Sequence, residues 1–209
     1  MIIAKNISKK FKELILFENA SCKIEDKSKT LIKGVNGSGK SVFLKILVGY
    51  STPDTGCIII DDYELQKDKD FISNAGVSIN APEFMKNETG LQNLIKLAEI
   101  RKIASKEDII NLATKLGMEQ AIYKKYKTYS LGMKQKMRII QALMDKPKYL
   151  ILDEPFDALD KKSCMVVEQV LDEHVKAGGT LIFTTHSTVY EDFADSILEI
   201  EDYSIKKLK

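Results

Sequence analysis

The chain has 209 residues, 44% of them hydrophobic, with 32 basic and 30 acidic side chains and a formal net charge of +2. That length and apolar fraction suffice for one or two lobes with a packed core, and the balance of charge argues against a whole-chain nucleic-acid binder. No apolar run approaches the roughly 18 residues of a membrane span; residues 1–6 lack the leader of a secretory signal; and Cys22, Cys57 and Cys164, scattered and odd in number, point to reduced thiols of a cytoplasmic protein rather than a disulfide framework or metal site.

Residues 2–7 and 20–24 predict strands, the apolar positions of the second alternating with polar ones. Between them Lys9, Lys10 and Lys12 surround Phe11, which reads as a partly exposed rim residue of the core. Residues 30–33 predict a short strand and residues 42–48 a helix. The segment joining them, Gly34-Val35-Asn36-Gly37-Ser38-Gly39-Lys40-Ser41, fits the phosphate-loop pattern Gly, four residues, Gly-Lys-Ser without a mismatch. Its glycines permit backbone angles a Cβ would forbid, and the following helix start offers unpaired N–H donors to an anion. The alternative is a Gly-rich turn that binds nothing, but strand before and helix after are what the phosphate loop requires.

Residues 51–56 are rich in turn formers, residues 57–60 predict a strand, and residues 75–82 a short strand with a Pro-bearing loop. From about residue 88 to 146 the period changes to that of helices: Leu91, Leu94, Ile95, Leu97 and Ala98 recur at helical spacing, a second helix starts at Ser105 and is stopped by Gly117, and residues 130–145 predict a third. Met133, Met137, Ile140 and Met144 share a face of the third helix and read as core. Residues 149–152 then predict a buried central strand ending in Asp153-Glu154-Pro155. A helix follows over 161–176, and a second buried strand over 180–185 ends at His186. His174, in the charged helix, reads as solvated. Alternating strands and helices imply an α/β sheet, with ligands at the carboxyl ends of its strands.

Ser41, Asp153-Glu154 and His186 all follow strands and can converge on one nucleotide. Asp153 is a candidate Mg²⁺ ligand beside Ser41, and Glu154 a candidate general base for an attacking water. The alternative is a carboxylate pair that caps a strand. His186, unremarkable alone, reaches a γ-phosphate only if its strand runs parallel to that of Asp153. Ser130 and Gly132 open a second helix start able to take an anion, or one that is simply an N-cap.

In this order the residues resemble the ATP-binding subunit of an ABC transporter, over essentially the whole chain. Residues 34–41 match the family's Walker A motif and residues 149–154 its Walker B motif with the catalytic glutamate. Ser130, Leu131, Gly132 and Met133 stand at the signature, residues 158–160 at the D-loop with Asp160, and His186 at the switch histidine. The resemblance implies an α/β P-loop NTPase core with a parallel central sheet, an N-terminal antiparallel β part and an inserted α-helical lobe. It implies one domain over 1–209, with a core lobe of about 1–80 and 147–209 and a helical lobe of about 81–146. It further implies ATP contacts from Phe11, Asn36, Gly37, Ser38, Gly39, Lys40, Ser41 and Val42. Mg²⁺ would be held by Ser41, Asp153 and Asn80, with catalysis by Glu154 and His186. ATP would sit between the phosphate loop of one copy and the signature of a head-to-tail partner, itself or a paralogous subunit. Hydrolysis would reopen the pair and drive substrate movement through separate transmembrane permease subunits at the inner face of the cell membrane.

Three departures accompany the resemblance. Leu131 and Met133 replace the consensus Gly and Gln; Asn80 stands where the Q-loop glutamine is expected; and the chain stops soon after His186. The run Ser-Leu-Gly-Met-Lys-Gln is most similar to bacterial drug- and bacitracin-export subunits. A non-transport relative acting on nucleic acid or ribosomes is one alternative. Such relatives usually have two cassettes or long coiled-coil insertions, and the cluster of Lys124, Lys125, Lys127, Lys134, Lys136 and Arg138 is explained more simply by a solvated or membrane-facing lobe, so no nucleic-acid partner is expected. An ATP-gated regulator of a membrane protein is a second alternative, and nothing in the sequence separates it from a transporter subunit; a third, a small-molecule P-loop kinase, explains neither the signature nor His186.

Overall fold

The computed structural model describes residues 1–80 and 83–209, so Ala81 and Pro82 of the predicted loop lie outside the described residues. Strands β1 (Ile2–Phe11) and β2 (Leu14–Ile24) lead into β3 (Lys29–Lys33), helix α1 (Lys40–Val48), β4 (Thr55–Ile60), β5 (Tyr63–Glu64) and β6 (Ala75–Ser78). Three helices follow, α2 (Gly90–Arg101), α3 (Lys106–Lys115) and α4 (Leu131–Leu143). The chain then closes with β7 (Tyr149–Leu152), α5 (Lys161–Lys176), β8 (Thr180–Thr184), β9 (Ser196–Glu201) and β10 (Ser204–Lys207).

The strands form two sheets. One is antiparallel, in the order β2-β1-β4-β5; the other runs β10-β9-β3-β8-β7-β6 and is parallel except for β10. Alternation along the parallel strands explains how both faces are covered. Ile32, Ile151 and Ile182 point to a core shared with the antiparallel sheet and with Phe43, Leu44 and Leu47 of α1. Their neighbours Leu31, Leu150, Leu152, Leu181 and Phe183 point the other way, toward α5 and the inserted helices. Removing each such side chain from water contributes about 1.5–3 kcal/mol, so α1 and α5 are clamped to opposite faces of one rigid sheet.

The inserted helices are specified locally. Thr89 with Gln92, and Ser105 with Asp108, form reciprocal capping boxes at the starts of α2 and α3. Met137 and Ile140 are buried on α4 and Met144 at its C-cap, as their spacing predicts, while Met133 on the same face is only partly buried. Helix α4 also touches β6 backbone to backbone: a Cβ on Gly76 would stand 1.8 Å from the Ala142 carbonyl oxygen, so only glycine lets the helix lie this close.

The architecture is the one the resemblance implies, with differences of extent. Strands β1 and β2 run to the hairpin tip, pairing Lys10 with Ile15 and Phe11 with Leu14, because ladder hydrogen bonds form regardless of the lysines on the outer face. Helix α1 begins at Lys40, two residues before its apolar face. Strands β9 and β10 lie beyond His186, where the predicted elements end, although residues 198–201 alternate apolar with polar. His174 is not solvated: its ring packs on Gly179, burial lowers its pKa, and its Nε2 is buried without a hydrogen-bond partner.

Candidate functional site

Strands β3, β8 and β7 are neighbours in that order, with Ile32 opposite Thr184 and Leu152 opposite Phe183. Their carboxyl ends are therefore flush, and neighbouring strands lie about 4.8 Å apart. The phosphate-loop residues leave β3, Asp153 and Glu154 leave β7, and His186 follows the central β8.

The loop from Gly34 to Gly39 folds back over α1. Gly39 is the helix N-cap at φ 102°, a left-handed angle that disfavours a Cβ, and no side chain caps the first-turn amides. Asn36 and Gly37 are exposed, and Ser41 and Val42 lie half-buried in the first turn. Lys40 is 7% exposed, and its Nζ donates to the Gly34 and Val35 carbonyl oxygens at 2.8 and 3.2 Å. Burial lowers its pKa, against the pull of the Glu154 and Asp153 carboxylates. Ser38 Oγ is buried with no partner. A buried cation, an orphaned hydroxyl and an uncapped helix start together fit an anion such as a phosphate chain.

Glu154 is held from two sides. Its φ is 51°, an angle costing a non-glycine residue roughly 1–2 kcal/mol. Two hydrogen bonds, each contributing about 0.5–1.5 kcal/mol net, hold its backbone there: its N–H donates to Thr184 Oγ1 at 2.9 Å, and Gln135 Nε2 donates to its carbonyl oxygen at 2.8 Å. Thr184 Oγ1 in turn donates to Asp153 Oδ1 at 2.7 Å. The Glu154 carboxylate accepts the His186 backbone N–H at 3.2 Å, and its Oε1 stands 3.0 Å from His186 Nε2 without the alignment of a hydrogen bond. Burial pushes the Glu154 carboxyl up to about 7; Asp157 adds to the rise and Lys40 opposes it. A carboxyl poised there can take a proton from water near neutral pH. Beyond His186 the chain is pinned by the stack of Tyr190 on Phe156, with centroids 3.8 Å apart, and by the 2.7 Å Lys33–Glu191 ion pair.

The remaining predicted positions lie around this centre. Phe11 is half-exposed at the β1–β2 tip, with Lys9 Nζ 5.3 Å from its ring centroid. The same hairpin brings Leu16 and Phe17 against Gly39, and a cavity of about 510 Å³ joins Leu14, Ile15 and Leu16 to Gly37, Ser38 and Tyr203. Asn80 is exposed, just past β6. Asp160 caps α5 by accepting the Ser163 N–H at 2.7 Å, and that bond lowers its pKa. Ser130 caps α4, accepting the Met133 N–H at 3.2 Å, while Leu131 beside it is 71% exposed. A Cβ on Gly132 would stand 2.9 Å from the Ala158 carbonyl oxygen, so the α4 start abuts the segment after Glu154.

Two residues beside the site escape the sequence reading. Thr184 is a hydroxyl in a fully buried strand, and Gln135 an amide in the apolar stripe of α4 with Ile139 and Ala142. A polar residue at a core position was the available signal for both.

Comparison with known proteins bears on the same segments. Residues 17–157 match the model of the family described as ABC transporter. The chain is 37% identical over 186 residues to the uncharacterized ABC transporter ATP-binding protein YybJ of Bacillus subtilis (strain 168), covering 89% of this chain and 85% of that one. It is 28% identical over 192 residues to the bacitracin transport ATP-binding protein BcrA of Enterococcus faecalis, covering 91% of this chain and 62% of BcrA. In fold it is similar to the dimeric bacterial ABC transporter cassette MJ0796, at a TM-score of 0.87 and 23% identity, over 100% of this chain and 99% of the other. The chain belongs to the ABC transporter family, among its ATP-binding proteins.

Proposed function

We propose that this chain binds and hydrolyses ATP as the motor subunit of a transporter, in a head-to-tail dimer with itself or a paralogous subunit, and drives permease subunits carried on other chains. The observation that carries the reading is the arrangement of Lys40, Glu154 and His186 at the flush ends of adjacent parallel strands. Among the described residues no helix is long and apolar enough to cross a membrane, so spanning partners would supply the pathway. The similarity to BcrA favours a transport role at the inner face of the membrane.

The α1 amides and Lys40 would bind the β- and γ-phosphates, with Lys40 exchanging its loop carbonyls for phosphate oxygens. Ser41 and Asp153 have the hard oxygens that hold Mg²⁺, with Asn80 at the edge; the ion would neutralise phosphate charge. Phe11 would stack on the adenine. Glu154 takes the proton of the attacking water, and His186, held on the same carboxylate, keeps that group aimed. Ser130, Leu131, Gly132 and Met133 would meet the γ-phosphate bound to the partner, and Asp160 would lie at the seam. A division into a core lobe of about 1–80 and 147–209 and a helical lobe of about 81–146 would give the closing motion two parts.

Glu154→Gln tests the reading. It should keep ATP binding, lower turnover by at least about 100-fold and retain an ATP-bound dimer on size-exclusion chromatography. Undiminished phosphate release would refute it.

A further inference from the structure

We propose that Gln135 is a positioning residue for Glu154, and that through it the start of α4 governs the hydrolytic carboxylate; this rests on the ATPase reading above. Gln135 is only 6% exposed, and both ends of its amide are used. Its Nε2 donates to the Glu154 carbonyl oxygen at 2.8 Å, and its Oε1 accepts from Arg138 Nη1 at 3.0 Å. The bond is made to the one residue of the site whose backbone is both left-handed and bears the candidate base. The other side of that residue is fixed by Thr184 from β8, so Gln135 is the tie from the helical lobe and Thr184 the tie from the sheet.

Gln135 lies one helical turn beyond Leu131, on the helix whose first turn is capped by Ser130. A helix transmits displacement along its length, so a shift of the α4 start moves the Gln135 amide with it. The turn at Ser130 and Gly132 faces a nucleotide held by the other subunit, whereas Glu154 faces the nucleotide of its own. One buried amide thereby links the two sites of a dimer: the carboxylate is aimed when α4 is seated on the partner's nucleotide, and misaimed when it is not.

The test uses the full chain with Mg-ATP and steady-state phosphate release over a range of ATP concentrations. Gln135→Met keeps length and apolar packing but cannot donate. Gln135→Glu keeps the acceptor for Arg138 but sets an oxygen against the Glu154 carbonyl. Both should lower kcat about tenfold or more, leave monomer ATP affinity near wild type, lower the melting temperature by only about 2–4 °C for each kcal/mol the lost hydrogen bond contributed, and reduce the Hill coefficient for ATP toward 1. A folded Gln135→Glu with kcat and Hill coefficient unchanged overturns the inference even where Gln135→Met misfolds. Turnover that survives both substitutions but not Glu154→Gln sinks this inference alone; a wild-type chain with no turnover sinks the ATPase reading and this one with it.

Discussion

His186 sits on the carboxylate of Glu154, its backbone N–H donating to Oε2 at 3.2 Å and its ring Nε2 3.0 Å from Oε1. Neither residue is near the other in sequence; they meet because β7 and β8 pair in parallel, Leu152 against Phe183. A half-buried carboxylate against an imidazole, with Lys40 close enough to be felt, is a charge arrangement that water alone satisfies poorly. A ligand that brings charge of its own changes its balance.

The first consequence is for stability. Glu154 is a carboxyl whose folded pKa is about 7 against an ordinary 4.5, and its side chain is only 18% exposed. A raised carboxyl favours the folded state where it is protonated. Stability is therefore lost as pH rises from about 4.5 through 7, by up to about 3 kcal/mol at 1.36 kcal/mol per unit. In EDTA without nucleotide, thermal melts from pH 5 to 8 should show wild type falling relative to Glu154→Gln. A constant gap between the two would mean that burial does not perturb the group.

Ser130 is exposed and caps α4, so its replacement separates two roles. Losing the cap costs about 1 kcal/mol, too little to unfold a chain with this core. Ser130→Arg should leave ATP binding to the monomer intact and abolish the ATP-dependent dimer of the Glu154→Gln background, measured by size-exclusion with light scattering. Loss of monomer binding would place the residue in its own subunit's site.

Phe11 stands half-exposed at a hairpin tip, so its removal should cost the fold little. A base stacked on an aromatic ring contributes about 1–3 kcal/mol. Phe11→Ala should therefore weaken ATP about tenfold and inorganic triphosphate hardly at all, by titration calorimetry. Equal weakening of both would trace the effect to the loop under Leu16 and Phe17.

What the sequence determined by itself was local. The strand, Gly-rich loop and helix around Lys40, the apolar run ending in Asp153-Glu154, and the caps at Ser105 and Ser130 are each written within about a dozen consecutive residues, because turn angles, capping and helical period act over that range. What only the tertiary structure decided was which of these pieces touch. The order β3-β8-β7, the hairpin reaching Phe11, the burial of His174 on Gly179, and the two hydrogen bonds that hold Glu154 left-handed are contacts between distant segments. Their physical reason is that strand pairing and buried polar groups are satisfied by whatever partner the packed chain brings near. Neither Thr184 nor Gln135 carries in its own neighbourhood any mark of the carbonyl or carboxylate it serves.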